Sequence, residues 1–361
     1  MNKTLFKVIV TILAVMLLVN MSVLIGRAQG EKDEVIRIAS ELVSFEVSVR
    51  DMRGFPVRNL KAEDFTVYED GQRQQIAHLS ALETPFQLVL VIDTSISTQQ
   101  QLQLMRQAAR NFIAEIGARD RIAIVQFSHD VELLTDFTSD RAKLESALGL
   151  IGFYENARTG SSVYDALSLV VGKELLAKQQ GRKAALILTD GVDSSSILDY
   201  QRVKEAIERS SAGFYFIELD TEKFTEDGVA RGRTDPQRLN FSPKQLQKYV
   251  EVYQPKGALE HYANHWLLTP EERREVNHGL YQLARQELRE IAQRTGGSVF
   301  VAKHIEDLEG QYRAVIEELR TLYSIGYYPS RTQADGKWHK IQVEVKTAGA
   351  TLRHRSGYWA K

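Results

Sequence analysis

Cysteine is absent from all 361 residues. That excludes disulfides, thiolate metal sites and cysteine nucleophiles, so an exported chain of this kind draws its stability from a hydrophobic core. Net charge is nearly absent too. The 46 Lys and Arg residues stand against 47 Asp and Glu, leaving −1 at pH 7, with no long basic block. This argues against nucleic acid as a bulk electrostatic partner. Two hydrolase signatures are missing as well: no Gly-x-Ser-x-Gly elbow and no His-Glu-x-x-His occur. What remains is 43% hydrophobic residues over a length that suits one large domain and a smaller one.

The first 30 residues read as a targeting segment. Lys3 and Lys7 precede an apolar run from Val8 to Ile25, which ends in Gly26-Arg27-Ala28-Gln29-Gly30. Small residues there suit cleavage after Ala28 or Gly30. The run nearly reaches the roughly 20 residues needed to span a bilayer, so an uncleaved anchor is the alternative. Either way the body of the chain is expected outside the cytoplasm, and any membrane contact is through this segment.

The remainder is organised around Leu88-Val89-Leu90-Val91-Ile92-Asp93-Thr94-Ser95-Ile96-Ser97. A continuous apolar run ending at a carboxylate reads as a strand buried on both faces of a parallel sheet. Ligand sites in such sheets lie just beyond the carboxyl ends of the strands. Asp93, Ser95 and Ser97 therefore present three oxygen side chains where a site is expected, and oxygen donors suit a hard cation such as Mg²⁺. The competing explanation is that these residues cap the following helix.

Before that strand, residues 34–84 look all-β, with Val43, Phe45, Val47 and Val49 alternating with polar neighbours. From Phe86 strands and helices alternate, the pattern of βαβ units in a mostly parallel α/β sheet. Helices are expected after Ser97, after a cap at Ser139, from Val163 to about Lys178, and from Tyr200 to Ser210. A second hydroxyl-rich loop runs from Tyr154 to Ser162, including Thr159, Gly160 and Ser161. A third loop, Thr189-Asp190-Gly191-Val192-Asp193-Ser194, again ends a buried strand at a carboxylate, and Gly191 permits a tight turn.

Residues from Asp220 to about Gly279 form a polar insertion with helical character in its later part, starting at Ser242-Pro243 and Thr269-Pro270. Long loops of this kind are functional or disordered. This one leaves the strand end on the metal side, so it is either a ligand-facing surface or a solvated decoration. His261 and His265 stand four apart, but no Glu follows His261, and they read as paired surface histidines. His129, just after a strand, also reads as a surface residue, and none of the eight histidines falls within the three loops. A helix from Leu280 to Arg294, a strand at Ser298–Val301, a helix from Ile305 to Leu322 and three C-terminal strands complete the chain. The two β-rich ends are expected to pair into one small sandwich.

Asp-x-Ser-x-Ser after a buried strand resembles the metal-ion-dependent adhesion site of von Willebrand factor A domains. The run Ser161-Ser162-Val163-Tyr164-Asp165-Ala166-Leu167 looks like the Thr-x-Leu-Tyr-Asp-Ala-Leu that opens a helix in many of them, with Ser161 at the usual Thr position. The third loop is similar too. The Val-Arg-Asp-x-x-Gly start and the Tyr-x-Ile-Gly-Tyr-Tyr-Pro, Asp-Gly-Lys-Trp-His-Lys-Ile and Arg-x-Arg-x-Gly-Tyr ending resemble a subfamily of exported bacterial A-domain proteins abundant in acidobacteria.

The resemblance implies a Rossmann-like doubly wound A domain over 85–322 carrying the 220–279 insertion, with accessory β regions at 34–84 and 323–361. It implies a metal set of Asp93, Ser95, Ser97, Ser161 and Asp190, with Thr159 as the alternative to Ser161. Mg²⁺ is the expected ion, with Mn²⁺ or Ca²⁺ in reserve. The implied function is a non-enzymatic adhesion-type module that binds a protein partner's Asp or Glu carboxylate through the cation. A metal-assisted hydrolase and an envelope scaffold with a vestigial site are the alternatives.

Overall fold

In the computed structural model, the described residues are 42–81, 85–152, 159–173, 175–179, 181–235, 239–254, 258–330 and 335–360. The targeting segment and residues 153–158 of the second loop lie outside them. Among the described residues no helix is long and apolar enough to cross a membrane.

The chain begins with β1 (Val43–Arg50), β2 (Phe65–Glu69), β3 (Gln72–Gln74) and β4 (Ile76–Ala81). It then enters the alternating region: β5 (Phe86–Asp93), α1 (Leu102–Glu115), β6 (Arg121–Phe127), β7 (Val131–Thr138), α2 (Arg141–Leu150), α3 (Val163–Val171), β8 (Arg182–Thr189), α4 (Tyr200–Arg209) and β9 (Gly213–Leu219). Three helices follow, α5 (Glu222–Arg231), α6 (Pro243–Tyr253) and α7 (Pro270–Thr295), then β10 (Ser298–Ala302) and α8 (Leu308–Thr321). The chain closes with β11 (Tyr323–Tyr327), β12 (Trp338–Val345), β13 (Thr351–His354) and β14 (Gly357–Trp359).

Six strands form one sheet in the order β10-β9-β8-β5-β6-β7. All neighbours are parallel except β7, which runs antiparallel to β6 at the edge. The period-two pleat divides β5 between two cores. Leu88, Leu90 and Ile92 face Met105, Phe112, Leu148, Tyr312 and Val315. Val89 and Val91 face Val163, Leu167, Val203, Phe214 and Ile291 on the other side. Covering both faces is what permits the unbroken apolar run, and it leaves the strand's polar end at the sheet edge.

The two ends of the chain make the accessory β layer. One four-stranded sheet has the order β13-β1-β11-β4 and the other β14-β12-β2-β3, so each mixes N- and C-terminal strands. Between them Phe45, Val47, Phe65, Val67, Ile325, Tyr327, Ile341 and Val343 are buried together. Glu69, also buried, accepts hydrogen bonds from the Tyr327 and Tyr358 hydroxyls at 2.6 and 2.9 Å, which satisfies a carboxylate that would otherwise be costly there.

Several local expectations change. The cap of α2 is Asp140 rather than Ser139, its carboxylate accepting from the Ala142 and Lys143 N–H groups. Helix α3 ends at Val171, where Gly172 interrupts it. The early insertion is helical, as α5. The expected helix boundary at Gly279 does not exist, because α7 runs unbroken through it. A mid-helix glycine costs about 1 kcal/mol against alanine, but here a Cβ would sit 2.7 Å from the Tyr249 ring, so the glycine is what lets α6 close on α7. The last expected strand divides into β13 and β14 at Arg355, where the chain crosses from one sheet to the other.

Candidate metal centre

The three loops converge at the carboxyl ends of β5 and β8. Asp93 is fully buried and does not cap a helix; α1 begins at Leu102 and has no side-chain cap. Its Oδ1 accepts the Ser95 N–H at 2.9 Å and its Oδ2 accepts the Thr189 hydroxyl at 2.6 Å. Thr98 fixes the same loop by donating to the carbonyl oxygens of Asp93 and Ser95 at 2.8 and 3.0 Å. The Ser95 and Ser97 hydroxyls lie 3.1 Å apart.

The second loop is pinned to the third through its backbone. Ser161 N–H donates to Ser194 Oγ at 2.8 Å, and the Ser161 carbonyl accepts from the Ser194 and Ser195 N–H groups at 2.8 and 3.1 Å. Asp165, on the first turn of α3, accepts from Ile197 and Leu198 N–H at 2.8 and 3.0 Å. Ser161 is thus held on both sides, yet its buried Oγ has no hydrogen-bond partner. A buried hydroxyl left unpaired costs about 1–3 kcal/mol, so this orphan among oxygen side chains is unusual. Thr159 borders the same cleft but is exposed.

Asp190 closes the set. Gly191 turns the chain with φ +78°, and a Cβ there would meet Leu288 of α7 at 2.9 Å, so the loop and the helix approach as only glycine allows. Asp190 Oδ1 accepts from the Val192 N–H at 3.0 Å. Its Oδ2 accepts the Thr221 hydroxyl at 2.6 Å and the Tyr281 hydroxyl at 3.3 Å, while Thr221 and Tyr281 bond each other at 2.7 Å. The insertion and its neighbouring helix therefore hold a carboxylate of the candidate site.

Electrostatics point the same way. Burial, followed by the neighbouring Asp190 charge, raises the Asp93 carboxyl to about 7. Burial also raises Asp193 to about 6, against the bond from Ser196 and the charge of Lys244. Two buried carboxylates beside three hydroxyls, one of them unpaired, form an all-oxygen donor set that fits a hard divalent cation.

Residues 88–192 match the von Willebrand factor type A domain family. The chain carries a von Willebrand factor type A domain. Solved structures similar to it include a von Willebrand factor type A protein from Catenulispora acidiphila, 14% identical over 90% of this chain and 75% of that one, with a TM-score of 0.43. BatB, a conserved hypothetical protein from Bacteroides thetaiotaomicron, is 13% identical over 64% of this chain and 98% of its own, with a TM-score of 0.41. Proximal thread matrix protein 1 of the mussel byssus, with a zinc-occupied MIDAS motif, is 12% identical over 68% of this chain and 48% of its own, with a TM-score of 0.43. No curated protein matches the chain.

Sequence reading missed four residues that hold the candidate carboxylates and their loops: Thr98, Thr189, Thr221 and Tyr281. Thr189 left a trace, as the one hydroxyl ending an apolar strand. Thr221 and Tyr281 left none, since 31 and 91 residues separate them from Asp190. Two histidines need comment. His129, expected at the surface, is part-exposed and borders the cleft in front of the loops. His265 is buried rather than on the surface, and its Nδ1 accepts the Phe241 N–H at 3.3 Å; His261 alone is exposed, bonded to Glu272 at 2.6 Å.

Burial, then the Arg273 charge, lowers His265 to about 4. A folded pKa below the unfolded value near 6.5 means that only the unfolded state gains a proton between about 6.5 and 4. Stability on this account is full above pH 6.5 and falls as the pH drops through that window. Protection factors of residues 239–254, taken against the intrinsic exchange rate at each pH, should therefore fall between pH 7 and 4.5, and less so in His265→Gln. Protection factors that do not change over this range would contradict the assignment.

Proposed function

We propose that this chain is an extracytoplasmic, metal-dependent protein-binding module. In this reading Asp93, Ser95, Ser97, Ser161 and Asp190 hold Mg²⁺, or Mn²⁺ or Ca²⁺ in its place, and an Asp or Glu of a partner protein completes the site. The observation that carries the reading is the unpaired, buried Ser161 hydroxyl beside two buried carboxylates. A cation there satisfies the hydroxyl and relieves the repulsion between Asp93 and Asp190 in one step. A bound cation would supply an electrophilic position for an external carboxylate. The residues do the rest: Ser95, Ser97 and Ser161 contribute neutral oxygens, Thr189 orients Asp93, and Thr221 and Tyr281 orient Asp190. Thr159, exposed at the rim, is the weaker candidate for the second-loop ligand.

The direct test is fluorescence anisotropy of a dye-labelled peptide, Gly-Glu-Gly, titrated with the protein in Mg²⁺ and in EDTA. Binding that needs both Mg²⁺ and the glutamate is expected, and a Gln peptide should not bind. Peptide binding indifferent to EDTA would contradict the mechanism. The alternative, a metal-assisted hydrolase, draws support from His129 alone, whose Nδ1 lies 3.5 Å from Asp130 at the edge of the cleft.

The positioning role of the insertion gives a separate expectation. Thr221→Val keeps the side-chain shape and removes the shorter of the two donors to Asp190 Oδ2. A hydrogen bond to a charged group is worth about 1.5–3 kcal/mol, so Mg²⁺ affinity should fall at least tenfold while the metal-free protein stays folded. Unchanged Mg²⁺ affinity by calorimetry would show that the clamp plays no part.

A further inference from the structure

We propose that the cleft over the metal loops selects a partner carboxylate with a bulky apolar side chain at the residue directly before or after it, the helical insertion supplying the apolar half. This deepens the metal-dependent reading and rests on it. The cleft has a volume of about 590 Å³, within the range of ligand-binding clefts. Its floor is polar, made by Ser95, Ser97, Ser161 and Asp190. Facing these, Val192 and Leu239 are half-buried, and behind them Val229, Phe241 and Leu280 belong to the insertion's own core.

Charge decides which ligand group goes to the floor. Among the described residues that line the cleft there is no Lys or Arg, and the carboxylates present are Asp190, buried in its floor, and Asp93 beneath it. No Lys or Arg of the described lining draws a partner carboxylate in, so a bound cation is what would attract it. Thr225, Asn240, Ser242 and Asn277 also line this side, but Leu239 and Val192 are the half-buried apolar side chains there, and an apolar neighbour on the partner would cover them.

The wall is built at a fixed distance from the floor. Leu239 sits over Gly228 of α5, where a Cβ would come within 2.4 Å of its Cδ1. Its N–H donates to Asp235 Oδ2 at 3.0 Å, and Asp235 is paired with Arg231 at 2.8 Å. Helices α5 and α7 in turn reach the floor through the Thr221 and Tyr281 hydroxyls on Asp190. The leucine and the metal loops thus share one continuous frame, which is what selection by spacing requires.

The experiment uses the purified protein and four dye-labelled peptides, Gly-X-Glu-Z-Gly with Leu or Ser at each of X and Z, in Mg²⁺ and in EDTA. At least one leucine peptide should bind about tenfold tighter than the Ser-Glu-Ser peptide, the worth of burying roughly half a leucine side chain. In Leu239→Ser that advantage should shrink to within about twofold, while Mg²⁺ dependence persists. Equal Mg²⁺-dependent binding of all four peptides by wild type would overturn the apolar selection and leave the metal reading standing. A leucine preference that survives EDTA would overturn both, as would a protein that binds Mg²⁺ and none of the peptides.

Discussion

Asp93→Asn is expected to abolish the stabilisation that Mg²⁺ gives the wild-type protein. An ion at a hundred times its dissociation constant stabilises a protein by about 2.7 kcal/mol, which for a domain of this size is a rise of roughly 5–10 °C in melting temperature. Asn keeps the volume of the side chain and still accepts the Ser95 N–H, so the variant should fold. What it lacks is the charge and the second oxygen that accepts the Thr189 hydroxyl, which must turn to accept instead. In wild type the Asp93 carboxyl is raised to about 7 by burial and by Asp190. An acid whose folded pKa lies above its unfolded value binds more protons when folded, so metal-free stability falls as pH rises from about 4 to about 7 and is flat above. The metal-free Asn variant should therefore be at least as stable as wild type at pH 8. Wild-type stabilisation by Mg²⁺ should be larger at pH 8 than at pH 5, where protons compete for Asp93. Thermal melts at the two pH values with and without Mg²⁺ check both statements, and a Mg²⁺ response retained by Asp93→Asn would refute the first.

The second large effect concerns folding. Gly297→Ala would place a Cβ 1.8 Å from the Phe214 carbonyl oxygen and 2.5 Å from its carbon. Those are backbone atoms of β9, so no rotamer change relieves the clash; the junction of α7 with β9 and β10 must move. Gly296 just before it ends α7 in the left-handed region, at φ +78°, and Thr295 accepts the Phe214 N–H at 3.1 Å. Loss of more than about 4 kcal/mol is expected, the scale of exceptional destabilisations, read as a fall in the urea midpoint or as failure to accumulate folded protein. Because α7 also carries Leu288 against Gly191 and Tyr281 against Asp190, any folded fraction should bind Mg²⁺ more weakly. A variant with a wild-type midpoint would show that this junction is looser than its contacts imply.

These two sites differ in how visible they were beforehand. Asp93, Ser95, Ser97 and Asp190 stand out as candidates because each lies where an unbroken apolar strand ends at a carboxylate. The order of strands and helices was legible for the same cause, since strands covered on both faces read as unbroken apolar runs. The closing of the two β-rich ends into one layer followed from their alternation and their turns. The clamp on Asp190 was not legible. Thr221 looks like an ordinary loop residue and Tyr281 like an ordinary helix residue, and only the fold brings them to one oxygen. The continuity of α7 through Gly279 was hidden for a related reason, because a ring from α6 rather than a chain reversal explains that glycine. His265 was misplaced because nothing near it in the chain reveals that Phe241 covers it.

The account turns on the cation, and calorimetric titration of the purified wild-type protein with Mg²⁺, beside Ser161→Ala, tests it most directly. One saturable site in wild type, weakened at least tenfold when the unpaired Ser161 hydroxyl is removed, is the expected result. A flat wild-type titration of folded protein, or equal Mg²⁺ affinity in the two, would contradict the account and leave the A-domain fold without its metal mechanism.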